Sequence, residues 1–212
     1  MARTKAGAAA PRSPSRDPET GAAVDWGFVS AREGGSRRAA YVPVDAGGRV
    51  FGQSGVTVGC GVDLGQHGGP TLSSWGAGPE LLEKLRPYIG LRGATAVAAV
   101  KAAPLTLTAA EAAVLDAGAQ RATLSDVVSR YEGQAQGRRF ADLSPGAQTA
   151  VVSVAYQYGT RLDIRTPRFW RRALAGDEAA MVAELRSFGD AYGARRNLEA
   201  DLIAAGLPAK EA

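Results

Sequence analysis

Apolar and polar residues alternate strictly from Val56 to Asp63, with Val56, Val58, Cys60 and Val62 set against Thr57, Gly59, Gly61 and Asp63. A period of two predicts a strand with one buried face. Its open face then carries a hydroxyl at one end, a carboxylate at the other and bare backbone between. Upstream, Val24, Phe28 and Ala31 recur at near-helical spacing and predict a first helix over 24–33. Gly34 and Gly35 stop it, because glycine takes the left-handed conformation of a helix end at little cost. Tyr41–Val44 and Arg49–Phe51 flank Asp45-Ala46-Gly47-Gly48, a hairpin-turn pattern, and Gly52–Gly55 forms a second turn. These segments predict a small antiparallel sheet of about three strands, closed off by His67-Gly68-Gly69-Pro70.

From there on the spacing is helical. Helices are predicted over 79–88 and 94–102, and Thr108 with Glu111 forms a capping box for a long helix towards Tyr131, with a break near Gly118. Ser144-Pro145 opens a helix that Gly159 stops; Val151, Val152, Val154 and Ala155 make it apolar on most sides, so it is the expected central helix. Thr166-Pro167 starts another that ends at Gly176, followed by helices over 177–188 and 194–205. The expected class is α+β, a small antiparallel sheet lobe beside a mainly α-helical lobe. The expected organisation is a disordered tail over 1–21, one domain over 22–207 divided into a helix and β lobe (22–72) and a helical lobe (73–207), and a short tail over 208–212.

Composition narrows the chemistry. The single cysteine, Cys60, excludes an internal disulfide framework, and together with the single histidine, His67, it leaves no His/Cys zinc cluster. A serine or cysteine hydrolase would need His67 as its only base. No metal or other cofactor is expected, and carboxylates remain as the acid–base groups. The net charge of +4 suits approach to an anionic polymer but does not distinguish a bacterial wall from nucleic acid. Arg37-Arg38, Arg138-Arg139 and Arg171-Arg172 form no readout motif and lack regular aromatic interleaving, so nucleic acid is not an expected partner. No apolar run approaches a membrane span, no signal-peptide core is apparent, and nothing marks an oligomer seam, so a monomer is expected.

Three groups stand out: Glu33 at the end of the first helix, Thr57 within the alternating strand and Asp63 at its end. Thr57 and Asp63 are six positions apart, and an even spacing along a strand puts both on one face. Glu33 sits where the partial negative charge of a helix end disfavours a second one; an arginine close by would act the other way. The pieces Glu33-Gly34, Tyr41-Val42-Pro43, Ser54-Gly55-Val56-Thr57 and Gly61-Val62-Asp63-Leu64-Gly65-Gln66 resemble the pesticin-like muramidase domain of the phage-type lysozyme superfamily. Ser153–Gly159, SVAYQYG, resembles the central helix of the wider group, and Arg195-Arg196 before Glu199 its final helix. The resemblance spans about 25–207; Cys60 inside the strand is a departure, expected to point inward and to be inert.

The resemblance implies a bacteriolytic glycoside hydrolase that cuts peptidoglycan between N-acetylmuramic acid and N-acetylglucosamine. Glu33 would be the general acid, Asp63 would orient or deprotonate water, and Thr57 would hold that water or the sugar. The analogy favours inversion, in which the two carboxylates stand roughly 6.5–9.5 Å apart. Tyr41, Gln157 and Tyr158 are candidate substrate-binding residues, though each also reads as packing. Arg195 or Arg196 would pair with Glu33 or form surface pairs. Trp26, Trp75 and Trp170 read as core, Asp45 as turn chemistry and His67 as an exposed loop residue. The glycan strand is the expected partner, an immunity or inhibitor protein a further one, and the chain would be made in the cytoplasm and act on the wall by a route left open. A wall-binding module with an inactive cleft and a lytic transglycosylase remain as alternatives; Asp63 beside Glu33 favours a hydrolase.

Overall fold

The computed structural model describes residues 14–208, so most of the expected tail over 1–21 and the residues after 208 lie outside the described residues. Its elements are α1 (Trp26–Arg32), β1 (Arg37–Tyr41), β2 (Thr57–Gly59), β3 (Val62–Asp63), α2 (Gly69–Ser74), α3 (Pro79–Leu85), α4 (Gly93–Ala102), α5 (Ala109–Glu132), α6 (Pro145–Tyr158), α7 (Leu162–Arg165), α8 (Pro167–Ala175), α9 (Glu178–Arg186) and α10 (Gly193–Ala204), with 3-10 turns at Arg86–Tyr88 and Phe140–Asp142. The sheet is antiparallel in the order β1-β2-β3. This is the α+β layout expected from the sequence.

The helix signals act as read. Thr108 and Glu111 complete the capping box of α5, and Ser144 caps α6 by accepting from the Ala147 N–H at 3.2 Å. Gly159 (φ 82°) and Gly176 (φ 67°) end α6 and α8 in conformations that a side chain would strain. Asp25 caps α1, its Oδ1 accepting from the Phe28 N–H at 2.9 Å. Glu33 is the C-cap, followed by Gly34 at φ 80°.

Four features differ from expectation. The alternating segment is not one strand: it folds back at Cys60-Gly61 into the β2–β3 hairpin, with Gly59 (φ 58°) and Gly61 (φ 89°) supplying the left-handed backbone. The first strand begins earlier, at Arg37, and the hairpin around Asp45–Gly48 shrinks to a single bridge, Val44 to Val50. Two short helices, α2 and α7, form where no element is expected from the sequence. Finally, α5 runs unbroken through Gly118, where an added Cβ would overlap Trp75 and lie 2.5 Å from its Cγ. Glycine stands there to let an indole pack on the helix, and the intrahelical hydrogen bonds hold the helix across it.

Two buried clusters form the core, and α5 runs through both. Its first half gives Ala112 and Leu115 to a cluster with Val56, Val58, Leu64, Leu72 and Leu85. Its second half gives Leu124, Val127, Val128 and Tyr131 to a cluster centred on α6 with Phe140, Phe169, Trp170 and Met181. Nine residues of α6 are buried, as expected of a central helix. Val29 packs α1 onto this second cluster, and Ala22 and Val24 just before it are buried there too. The Ala23 N–H donates to Gln148 Oε1 at 2.6 Å, tying this segment to α6. Among the described residues no helix is long and apolar enough to cross a membrane.

Candidate active site

The sheet brings three of the sequence candidates into one row. Tyr41 on β1 pairs with Thr57 on β2, and Thr57 pairs with Asp63 on β3. Directly opposed residues in antiparallel strands project to the same face, so the three side chains lie side by side. The shared face deduced from even spacing is therefore right, but it arises across a hairpin rather than along a strand.

Backbone donors hold Asp63. Its Oδ1 accepts from the Gly65 N–H at 2.8 Å and the Gly55 N–H at 3.1 Å, and Oδ2 accepts a second branch from Gly55 at 3.1 Å. Such donors suit a carboxylate, which only accepts, better than an acid, which must donate. Two glycines make the approach feasible. A Cβ on Gly55 would overlap Asp63 Oδ1 and lie 2.6 Å from the Leu91 carbonyl oxygen, and one on Gly65 would lie 3.0 Å from Oδ1. Gly55→Ala should therefore displace Asp63 and lower turnover by about tenfold or more; initial rates of the purified variant, with a thermal melt beside them, check this. Thr57 is buried, and its hydroxyl donates to the Gly55 carbonyl at 3.2 Å. Its remaining capacity is as an acceptor, so it can receive a hydrogen from a water or sugar but has no second one to give.

Glu33 approaches from α1. Its Oε1 accepts from Arg195 Nη2 at 2.9 Å, and Oε2 has no protein partner among the described hydrogen bonds. Arg195 is fixed in turn by Glu199 Oε1 at 3.1 Å and by the Ser153 carbonyl at 2.8 Å. Arg196, the next residue on α10, is buried and reaches Asp190, Glu199 and Gln157 instead of Glu33. The fields of Glu33 and Asp63 converge on the Tyr41 hydroxyl: burial pushes its pKa up, Arg37 opposes this, and both carboxylates add to the rise.

Glu33 lines a cavity of about 360 Å³ together with the hairpin turn (Cys60, Gly61, Val62), α5 (Ala119, Thr123), the end of α6 (Ala155, Tyr156, Gly159), His67 and Thr160. A larger hollow of about 430 Å³, lined by Gln134, Gln136, Arg138 and Arg171 among others, has no carboxylate in its wall and so lacks acid–base chemistry.

None of the three substrate-binding candidates lines the Glu33 cavity. The Tyr158 hydroxyl donates to Asp190 Oδ2 at 2.7 Å and Gln157 accepts from Arg196, so both belong to a network on the far side of Arg195 and neither lines the Glu33 cavity. Tyr41 lines a neighbouring surface hollow, where the Arg37 guanidinium covers its ring at 4.7 Å. Tyr156 faces the cavity instead, edge-on to Trp26 with centroids 6.0 Å apart. His67 is half-buried against Trp75 at 4.6 Å, and burial lowers its pKa, with Asp63 opposing. Trp75 and Trp170 are buried, while Trp26 is only partly so and packs at the edge of the core. Cys60 is buried as expected, and burial raises the pKa of its thiol. Among the described residues no group of His, Cys, Asp and Glu is arranged to hold a metal ion.

A small sheet lobe and a helical lobe threaded by one long helix, with a helix-terminal glutamate facing the hairpin between them, define a lysozyme-like fold. The chain belongs to the pesticin family: residues 23–178 match the family model described as "Pesticin: Bacterial toxin homologue of phage lysozyme, C-term". No curated protein matches the chain at a significant level.

Proposed function

We propose that the protein is a peptidoglycan muramidase that hydrolyses the bond between N-acetylmuramic acid and N-acetylglucosamine with inversion, and so acts on the cell wall. The observation that carries this reading is the division of labour between the two carboxylates. Glu33 has one oxygen anchored on Arg195 and the other left unpartnered at the cavity, while Asp63 is held by backbone N–H donors beside Thr57. Glu33 Oε2 carries the proton delivered to the leaving glycosidic oxygen. A water on the opposite face of the sugar, hydrogen-bonded to the acceptor lone pair of Thr57, transfers one proton to Asp63 as its oxygen attacks the anomeric carbon. It keeps its other hydrogen as that of the new anomeric hydroxyl, while the bond to the protonated leaving oxygen breaks. Family membership among phage lysozyme homologues supports the substrate class.

The test is mass spectrometry of fragments released from purified peptidoglycan. Wild type should release reducing muropeptides ending in N-acetylmuramic acid. Asp63→Asn should lower that release by about 10²–10⁴-fold, the usual worth of a positioned acid or base. Anhydro products would replace hydrolysis by transglycosylation, and binding to the wall without release would leave a binding module. Retention of near-wild-type rate by Asp63→Asn would take Asp63 out of the chemistry.

A further inference from the structure

Asp116 lies outside the acid–base pair, on α5, and its side chain is buried. None of the ion pairs among the described residues includes it. A carboxyl group buried without a cation is costly wherever an apolar side chain would fill the space. Both of its oxygens are nevertheless used, and on two different segments. Oδ1 accepts from the Cys60 N–H at 2.6 Å, and Oδ2 accepts from the Ser36 hydroxyl at 2.6 Å. The backbone comes close enough that a Cβ on Gly59 would overlap Oδ1 and stand 3.1 Å from Cγ.

The two segments are those that carry the chemistry. Ser36 follows Glu33 by the short Gly34-Gly35 link, where both glycines have positive φ and the Gly35 N–H donates to the Ser30 carbonyl at 2.9 Å. Cys60 is the turn residue midway between Thr57 and Asp63. The anchor, α5, is embedded in both core clusters. We infer that Asp116 is a positioning residue: it ties the Glu33 loop and the Thr57–Asp63 hairpin to one helix and so sets the separation of acid and base. The inference rests on the muramidase reading and adds to it a residue that never touches substrate.

The experiment compares Asp116→Ala, Asp116→Asn and Ser36→Ala with wild type on soluble peptidoglycan fragments, with amide hydrogen exchange on the same samples. Asp116→Ala should lower kcat by about 10–100-fold with KM within about threefold, because misplacing reacting groups costs turnover rather than binding. Asp116→Asn should stay within about threefold of wild type, since its carbonyl can accept from Cys60 and its amide can donate to Ser36 Oγ. Exchange should accelerate at 34–36 and at 60–61 in the alanine variant but not in the asparagine variant, while α6 stays protected. Should Asp116→Ala fail to fold, Ser36→Ala carries the test, with a smaller loss of kcat and acceleration confined to 34–36. Unchanged kcat in the alanine variant overturns the proposal, as does a loss that follows the melting temperature and that asparagine does not rescue. If wild type releases no fragments, the muramidase reading fails, and exchange decides the tether alone: acceleration at both segments supports it, and at one or neither sinks it.

Discussion

On the proposed mechanism, Glu33→Gln is expected to lower muropeptide release by about 10²–10⁴-fold, yet to melt within a few degrees of the wild type. Two features of the site separate these outcomes. The amide has nearly the shape of the carboxyl, and its oxygen still accepts from Arg195 Nη2 in place of Glu33 Oε1. Arg195 also keeps its second carboxylate, Glu199, at 3.1 Å, so no buried cation loses its only partner. Glu33 is itself about a quarter exposed (24%), at a helix end where neutralising a carboxylate costs little. The amide cannot give up a proton as an acid to a leaving oxygen. Fragment release measured by mass spectrometry, with a thermal melt of the same preparation, checks both halves. Release above about a tenth of the wild-type rate removes Glu33 as the general acid.

The placement of Glu33 at a helix end, and of Thr57 and Asp63 on one face, is legible because local rules decide it. Paired glycines stop a helix directly after Glu33, and alternation sorts Thr57 and Asp63 to one face. Alternation cannot reveal a reversal within the segment, since both arms of a tight hairpin keep the same period; the positive φ of Gly59 and Gly61 was the missing signal. What local rules do not fix is the rotation of a helix about its axis. Arg195 and Arg196 are neighbours in sequence but point about 100° apart on α10. Only the packing of α10 on α6 and α9 decides that Arg195 meets Glu33 while Arg196 turns inward. The same holds on α6, where packing alone decides that Tyr156 faces the Glu33 cavity while Gln157 and Tyr158 do not line it. Asp116 carried no signal at all: its partners, Ser36 and Cys60, are distant in sequence, and one acidic residue in a long helix looks like solvated surface.

The largest effect on stability is expected at Glu199, on the far side of Arg195 from the cavity. Glu199 is fully buried; its Oε1 accepts from Ser153 Oγ at 2.5 Å and from Arg195 Nε at 3.1 Å, and its Oε2 accepts from Arg196. Arg196 is 1% exposed, enclosed by the Phe188 ring at 4.7 Å and the Tyr158 ring at 5.4 Å. Glu199→Gln keeps the volume but removes the charge between two guanidinium groups, leaving Asp190 as the one carboxylate on Arg196 and Glu33 as the one carboxylate on Arg195 among the described residues. Breaking a buried ion pair from one side typically costs about 3–5 kcal/mol, a large part of the roughly 5–15 kcal/mol that holds a domain folded. Urea denaturation should show that loss, and a variant within about 1 kcal/mol of wild type would mean the network contributes no such stability. Acid should expose the dependence further. Burial raises the Asp190 carboxyl, but hydrogen bonds from the Tyr158 hydroxyl, Arg196 and the Tyr192 N–H outweigh it and leave its pKa below the ordinary value. A carboxyl depressed in the folded state lends stability above its unfolded value, about 3.9, and loses it as pH falls through the folded value. In Glu199→Gln, Asp190 is the last carboxylate on Arg196, so protonating it strands a buried cation. The urea midpoint of the variant should therefore fall more steeply than that of the wild type below about pH 4, and parallel curves would show that Asp190 does not support Arg196.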